Sequence, residues 1–259
     1  MKSSTIPLAM IWSARSGRSI SDFRRVRYGQ AQSGGDMHIG LIGGVGPAAT
    51  EVYYRALVRA YAAANRRLAL TIVHADAREM ISNLEADRAV EQAAIFARYV
   101  DQLRAGGCDV AAVTSMGGHF CMAELEKVSS LPLLSAVPAL NSYLASYGVR
   151  RVGVLGTRAV MQSKLYGVNS VEVVVPTGDD LDTVHSAYVT LAASGHATPE
   201  QCAYFHEAAR KLHEEQNADA VVLGGTDLSI AFSNADLSFP VLDSALIHVE
   251  AIARAAMQG

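Results

Sequence analysis

Apolar and polar positions along the chain alternate between two rhythms. Short, continuous apolar runs at 38–44 (HIGLIGG), 68–75, 108–113, 131–135, 151–155, 171–175, 220–223 and 239–243 read as buried strands. Between them lie stretches with apolar residues at helical spacing. The clearest is 85–106, where Ala89, Ala93, Phe96, Val100 and Leu103 fall on one face. The pattern predicts further helices over 51–65, 119–128, 139–147, 182–194, 199–216 and 245–257, with Thr198 as N-cap and Pro199 in the first turn of the 199–216 helix. Strand–helix alternation predicts an α/β fold with mostly parallel sheets covered on both faces. The order also repeats. IGLIGG at 39–44 answers VGVLGT at 152–157, and VAAVTSMGG at 110–118 answers AVVLGGTD at 220–227. Two pseudo-symmetric halves with a cleft between them is the economical expectation. We expect a first half over 37–145, joined by the C-terminal segment 232–259, and a second half over 146–231.

Composition narrows the possibilities. Hydrophobic residues make up 50% of the 259 and the net charge is −3, which suits a globular chain without the basic face that nucleic acid requires. No apolar run approaches the roughly 18 residues of a membrane span. Cys108, Cys121 and Cys202 are isolated, with no metal-binding or disulfide spacing, and a reducing cytoplasm is the default expectation. Residues 1–36 are Arg- and Ser-rich without apolar periodicity. They read as a disordered extension, or one added by a non-native start upstream of a fold that begins at Met37, with a transit segment as the other reading.

Candidate chemistry gathers at strand ends, where open α/β sheets collect ligands. Gly43-Gly44-Val45-Gly46-Pro47 fits an anion-facing helix start or a tight turn, and lacks both the dinucleotide spacing and a phosphate-loop lysine. Ser115 ends the 108–113 strand ahead of Gly117 and Gly118. It could bind a carboxylate, move a proton or attack, although no nucleophile-elbow motif surrounds it. His119 fits a proton shuttle or a packing residue. Thr226 and Asp227 form the matching mouth, with Asp227 read first as an N-cap and second as an acid/base. Asp76, Thr157 and Arg158 end other strands and could line a cleft, Arg158 through its planar fork. His185 and Tyr188 share a helix face with Leu181 and Val184 and read as packing residues.

Together IGLIGGVGPAAT, TSMGGH, RVGVLGTRAVM followed by Tyr166, VVLGGTDL and FPVLDSALIH resemble the aspartate/glutamate racemase superfamily, in style the aspartate racemase branch. The resemblance spans roughly 37–259. It implies two Rossmann-like domains around one active site, no cofactor, no metal, a small carboxylate or amino-acid substrate and a homodimer. It also places Gly44, Thr50, Asp76, Met116, Gly117, Gly118, Thr157, Arg158, Gly225 and Thr226 against the substrate. Racemases of that family carry one cysteine per half, in segments like CNTxH and GCTE. Here Ser115 and Gly225 stand at those places. A thiol can be lowered to a thiolate near neutrality, whereas an unassisted serine is a poor base and glycine is none. Three readings follow: a lyase, decarboxylase or isomerase using Ser115, His119 or Asp227; a racemase with other acid/base residues; or a non-catalytic carboxylate binder.

Overall fold

The computed structural model describes residues 10–12, 36–233 and 235–258. Strand β1 is Met10–Trp12. β2 (Ile39–Gly43) leads into α1 (Pro47–Ala63), and β3 (Leu70–His74) into α2 (Ala77–Glu85) and α3 (Ala89–Ala105). β4 (Val110–Val113) runs into a single-turn 3-10 helix (Gly117–Cys121), α4 (Met122–Val128) and α5 (Ala136–Tyr147). The second half follows: β5 (Arg151–Leu155), α6 (Arg158–Gln162), the short irregular α7 (Lys164–Gly167), β6 (Glu172–Val174), α8 (Asp179–Ser194) and α9 (Pro199–Glu214). It closes with β7 (Ala220–Leu223), α10 (Leu228–Phe232), β8 (Val241–Asp243) and α11 (Ser244–Ala256). Among the described residues no helix is long and apolar enough to cross a membrane.

Every residue of β2, β4 and β7 is buried, as continuous apolar runs in a parallel sheet covered on both faces require. The first sheet has the order β3-β2-β4, all parallel. Residues 131–134 extend it through a parallel bridge between Ala111 and Leu133, flanked by Ala111 N–H to Pro132 O (2.9 Å) and Leu134 N–H to Ala111 O (2.8 Å). The second sheet has the order β6-β5-β7-β8, also parallel, with β1 antiparallel at its far edge. The two orders are the same, second–first–third–fourth strand, so the repeat in the sequence is a repeat in topology. Of the extension expected over 1–36, Met10–Trp12 therefore lies in a sheet, Asp36 follows without regular structure, and residues 1–9 and 13–35 lie outside the described residues.

Two expectations need correction. The helix predicted over 85–106 is α3, which begins only at Ala89; the sequence reading lacks α2, which ends at Glu85 and is separated from α3 by left-handed Asp87 (φ 53°). The C-terminal segment does not belong to the first half as a unit. β8 hydrogen-bonds to β7 in the second sheet, and only α11 returns to the first half. There Ala245, Val249, Ile252 and Ala253 pack with Ile39, Leu41, Tyr53 and Leu57. The exchange is reciprocal. α5, drawn from the first half, buries Ala136, Leu140 and Leu144 among Val152, Val154 and Leu155 of the second. Each half is thus closed by the other's last helix, and α5 and α11 pack side by side where the halves meet.

Candidate functional site

At the mouth of β4 the backbone is held by a chain of hydroxyls. Thr114 is fully buried and donates to Ile42 O (3.2 Å). Thr50 donates to Gly46 O (3.1 Å) and accepts from Gly44 N–H (2.9 Å). Gly44 takes a left-handed φ of 83°, and a Cβ there would lie 2.4 Å from Ala75 O. The glycine-rich turn is therefore closed on Thr50, and the Gly44 N–H is not open to an anion. Ser115 comes next, half-buried, and among the described residues its hydroxyl has no hydrogen-bond partner. Met116 is buried in the core of the second half. Gly117 presents its carbonyl to the Tyr166 hydroxyl (3.4 Å), a contact between the halves. Gly118 packs on its own strand: a Cβ there would lie 2.7 Å from Val113 Cγ1.

His119 is 3% exposed, and both of its ring nitrogens meet backbone. Nδ1 donates to Ser115 O (2.8 Å) and Nε2 accepts from Ala136 N–H (3.0 Å), at the start of α5. These partners fix the neutral tautomer, and burial lowers its pKa to about 4. The ring joins the Ser115 backbone to the exchanged helix. Beside it lies His248 of α11 (5.7 Å between centroids), which Tyr53 Oη meets at 2.8 Å and which donates to Leu134 O (2.8 Å).

At the mouth of β7, Gly224 N–H donates to Leu155 O (2.7 Å). Gly225 is buried under the ring of Tyr188, with atoms 2.5 Å from where its Cβ would be. Thr226 accepts from the Ser229 hydroxyl through its carbonyl (2.8 Å). Asp227 occupies the N-cap position of α10, yet its side chain caps nothing. Its Oδ2 instead accepts from Tyr188 Oη (3.3 Å). Burial raises the Asp227 carboxyl above the ordinary range, with the Tyr188 hydrogen bond pulling the other way. The N-cap expectation for Asp227 is corrected accordingly.

Segment 164–167 touches both mouths. Leu165 lies 3.4 Å from the Cβ position of Gly224, and Tyr166 reaches Gly117. Lys164, Leu165 and Tyr166 are consecutive left-handed residues (φ 51°, 58° and 54°). Each such residue costs about 1 kcal/mol or more outside glycine, so packing at both mouths holds the segment in place.

The remaining strand-end residues are engaged locally. Asp76 caps α2 through Arg78 N–H (2.8 Å) and pairs with the Arg78 guanidinium (3.1 Å), whose hydrogen bonds hold its carboxyl below the usual range. Thr157 caps α6 at Val160 N–H (3.3 Å). Arg158 Nε donates to Asp182 Oδ1 (2.8 Å), an exposed pair, while its backbone N–H donates to His185 Nδ1 (3.2 Å). An exposed ion pair contributes about 0–1 kcal/mol, little for an incoming carboxylate to overcome. The Cys121 thiol donates to Gly118 O (3.5 Å) within the 3-10 turn after Ser115. Cys121 is fully buried, its thiol pushed up to about 12 by burial. Cys108 is buried and Cys202 lies in α9. Spacing alone reads Tyr188 as a packing residue. The signal pointing to the mouth was the unusual glycine at 225, which leaves room for a ring from elsewhere.

Two α/β sheets of like topology, with polar mouths linked by one segment and closing helices exchanged, define a two-lobed fold. The Asp/Glu/hydantoin racemase family matches residues 42–252, most of the length, and the chain belongs to that family. Among solved structures it is similar to a candidate Asp/Glu racemase from Yersinia pestis (24% identity over 84% of this chain and 98% of that one, TM-score 0.75). It is also similar to an aspartate racemase homologue from Pyrococcus horikoshii OT3 (24%, 85% and 99%, 0.72) and to an aspartate racemase from Picrophilus torridus (20%, 84% and 93%, 0.63). At these identities the likeness establishes the fold.

Proposed function

We propose that this chain is a cofactor-independent enzyme that moves a proton at a carbon beside the carboxylate of a small amino acid or dicarboxylate. Its chemistry differs from two-thiol racemisation and is that of a lyase, decarboxylase or isomerase. The carrying observation is the asymmetry of the two mouths: at one a hydroxyl, Ser115, without a partner among the described residues, and at the other a buried carboxylate of raised pKa, Asp227. With no base beside it, Ser115 is suited to donating a hydrogen bond to a substrate carboxylate, and Asp227 to proton transfer. In this reading Gly117, Thr157, Arg158 and Thr226 line the substrate. His119, with both nitrogens on backbone, positions Ser115 and does not carry protons. A carboxylate-binding homologue without turnover is the second reading, favoured because no base meets the Ser115 hydroxyl among the described residues.

The test is incubation with L-aspartate, L-glutamate and methylmalonate in D2O, followed by NMR. The enzyme reading expects deuterium at the substrate carbon or a new product, and a fall of about 100-fold or more in Ser115→Ala. Thermal stabilisation by a dicarboxylate without exchange or product would instead support the binder. We also propose a cytoplasmic location and a homodimer, the latter supported by the exposed apolar Tyr54, Val58 and Ile72 of α1 and β3. Sedimentation at monomer mass would remove that part.

A further inference from the structure

A side chain from another helix occupies the place that Gly225 leaves bare. A Cβ on Gly225 would lie 2.5 Å from Cε2 and Cζ of Tyr188 and 2.6 Å from its Oη. The phenol of α8 therefore stands where a residue at 225 would project, and it brings a hydroxyl. That hydroxyl donates to Asp227 Oδ2 (3.3 Å), in a carboxylate 8% exposed that has abandoned its own helix terminus. One side chain thus accounts for two oddities of the β7 mouth, the missing Cβ and the non-capping aspartate. Tyr188 itself is only part-buried, and so is its hydrogen bond to Asp227.

We propose that Tyr188, backed by Asp227, is the catalytic residue that exchanges protons with the substrate carbon on the β7 side of the cleft. The inference rests on the function proposed above. In the forward step the substrate C–H bond breaks and its electron pair stays on the substrate as an enolate. The proton joins Tyr188 Oη, and the proton already on Oη passes to Asp227 Oδ2. Aspartate becomes aspartic acid and the substrate gains one negative charge, so atoms and charge balance without a free phenolate. Such coupling suits the site, because burial raises the phenol's pKa well above the ordinary tyrosine range while it also raises that of Asp227. The reverse step returns a proton to the same face. With no base at Ser115, exchange is one-sided and retains configuration.

The experiment follows deuterium incorporation into L-aspartate, L-glutamate and methylmalonate by the full chain, its Tyr188→Phe variant, its Asp227→Asn variant and the double variant. Phenylalanine keeps the ring over Gly225, so a packing role predicts no change. Tyr188→Phe is expected to lower the exchange rate constant by about 100-fold or more with KM within a few-fold. Asp227→Asn is expected to do likewise and to erase the acidic limb of the pH–rate profile. The double variant is expected to be no slower than the worse single one, the mark of two groups acting as a unit. Exchange by Tyr188→Phe within about twofold of the unaltered chain overturns the assignment and leaves the proposed function standing. Neither exchange nor a new product from the unaltered chain with any of the three acids overturns both, whereas a product formed without exchange overturns the Tyr188 assignment alone.

Discussion

A Cβ at position 225 cannot coexist with the Tyr188 ring where it lies, 2.5 Å away. Gly225→Ala must therefore push the ring aside, at about 1–3 kcal/mol for overpacking a filled site. Thermal denaturation should show a midpoint several degrees lower. In a Tyr188→Ala background the same substitution should cost almost nothing, so a double-mutant cycle should return a coupling close to the whole single-variant loss. Additive effects would mean that the ring and the glycine do not share space. Sequence alone brought Ser115, Gly225 and Asp227 to two strand ends, because apolar runs ending in small residues are local signals. Tyr188 escaped because its neighbours at helical spacing, Leu181 and Val184, made it look like one more packing residue. Its partners lie 37 and 39 positions away in the chain, and no local pattern reports such a meeting.

Elements show the same division between local and distant information. β2, β4, β5 and β7 were legible from their apolar runs, and Thr198 caps α9 as the sequence suggested, with Gln201 reciprocating in the structure. Illegible were α2, which ends ahead of left-handed Asp87, and the left-handed run at 164–166, which carries no glycine to announce it. That run supplies a test. Lys164 is exposed, with φ 51°, so Lys164→Gly removes a steric penalty without removing buried contacts. We expect a gain of about 0.5–1 kcal/mol, or 1–4 °C in the melting midpoint. A loss would mean that the lysine side chain contributes more than its backbone conformation takes away.

Across the whole molecule, buried titrating groups collect where the halves meet. His119 and His248 are held neutral by burial down to about pH 4 and about pH 3, against an ordinary 6.5 in the unfolded chain. Unfolding therefore takes up protons as pH falls through 6.5, and stability is lost on acidification. Asp243 works the other way. Burial raises it from 3.8 to about 6, so below pH 6 the folded state takes the proton first and stability is gained. Two histidines outweigh one carboxyl, and between pH 7.0 and 5.5 the net loss should be roughly 1–2 kcal/mol. Urea midpoints at the two pH values measure it. A midpoint that holds or rises on acidification would show that the histidines do not stay neutral in the fold.

The reciprocal seating of α5 and α11 bears on where this chain can be cut. A break beside Gly148, the left-handed residue that ends α5, would leave one piece with a closing helix fitted only to the other piece's core. Expressed apart, residues 36–148 and 149–258 should each expose an unmatched apolar face and aggregate. Expressed together they should clasp into a native-like pair, recovering the circular dichroism and melting behaviour of the intact chain. The peptide link between the halves would then serve as a tether that raises their local concentration, with recognition supplied by the two helices.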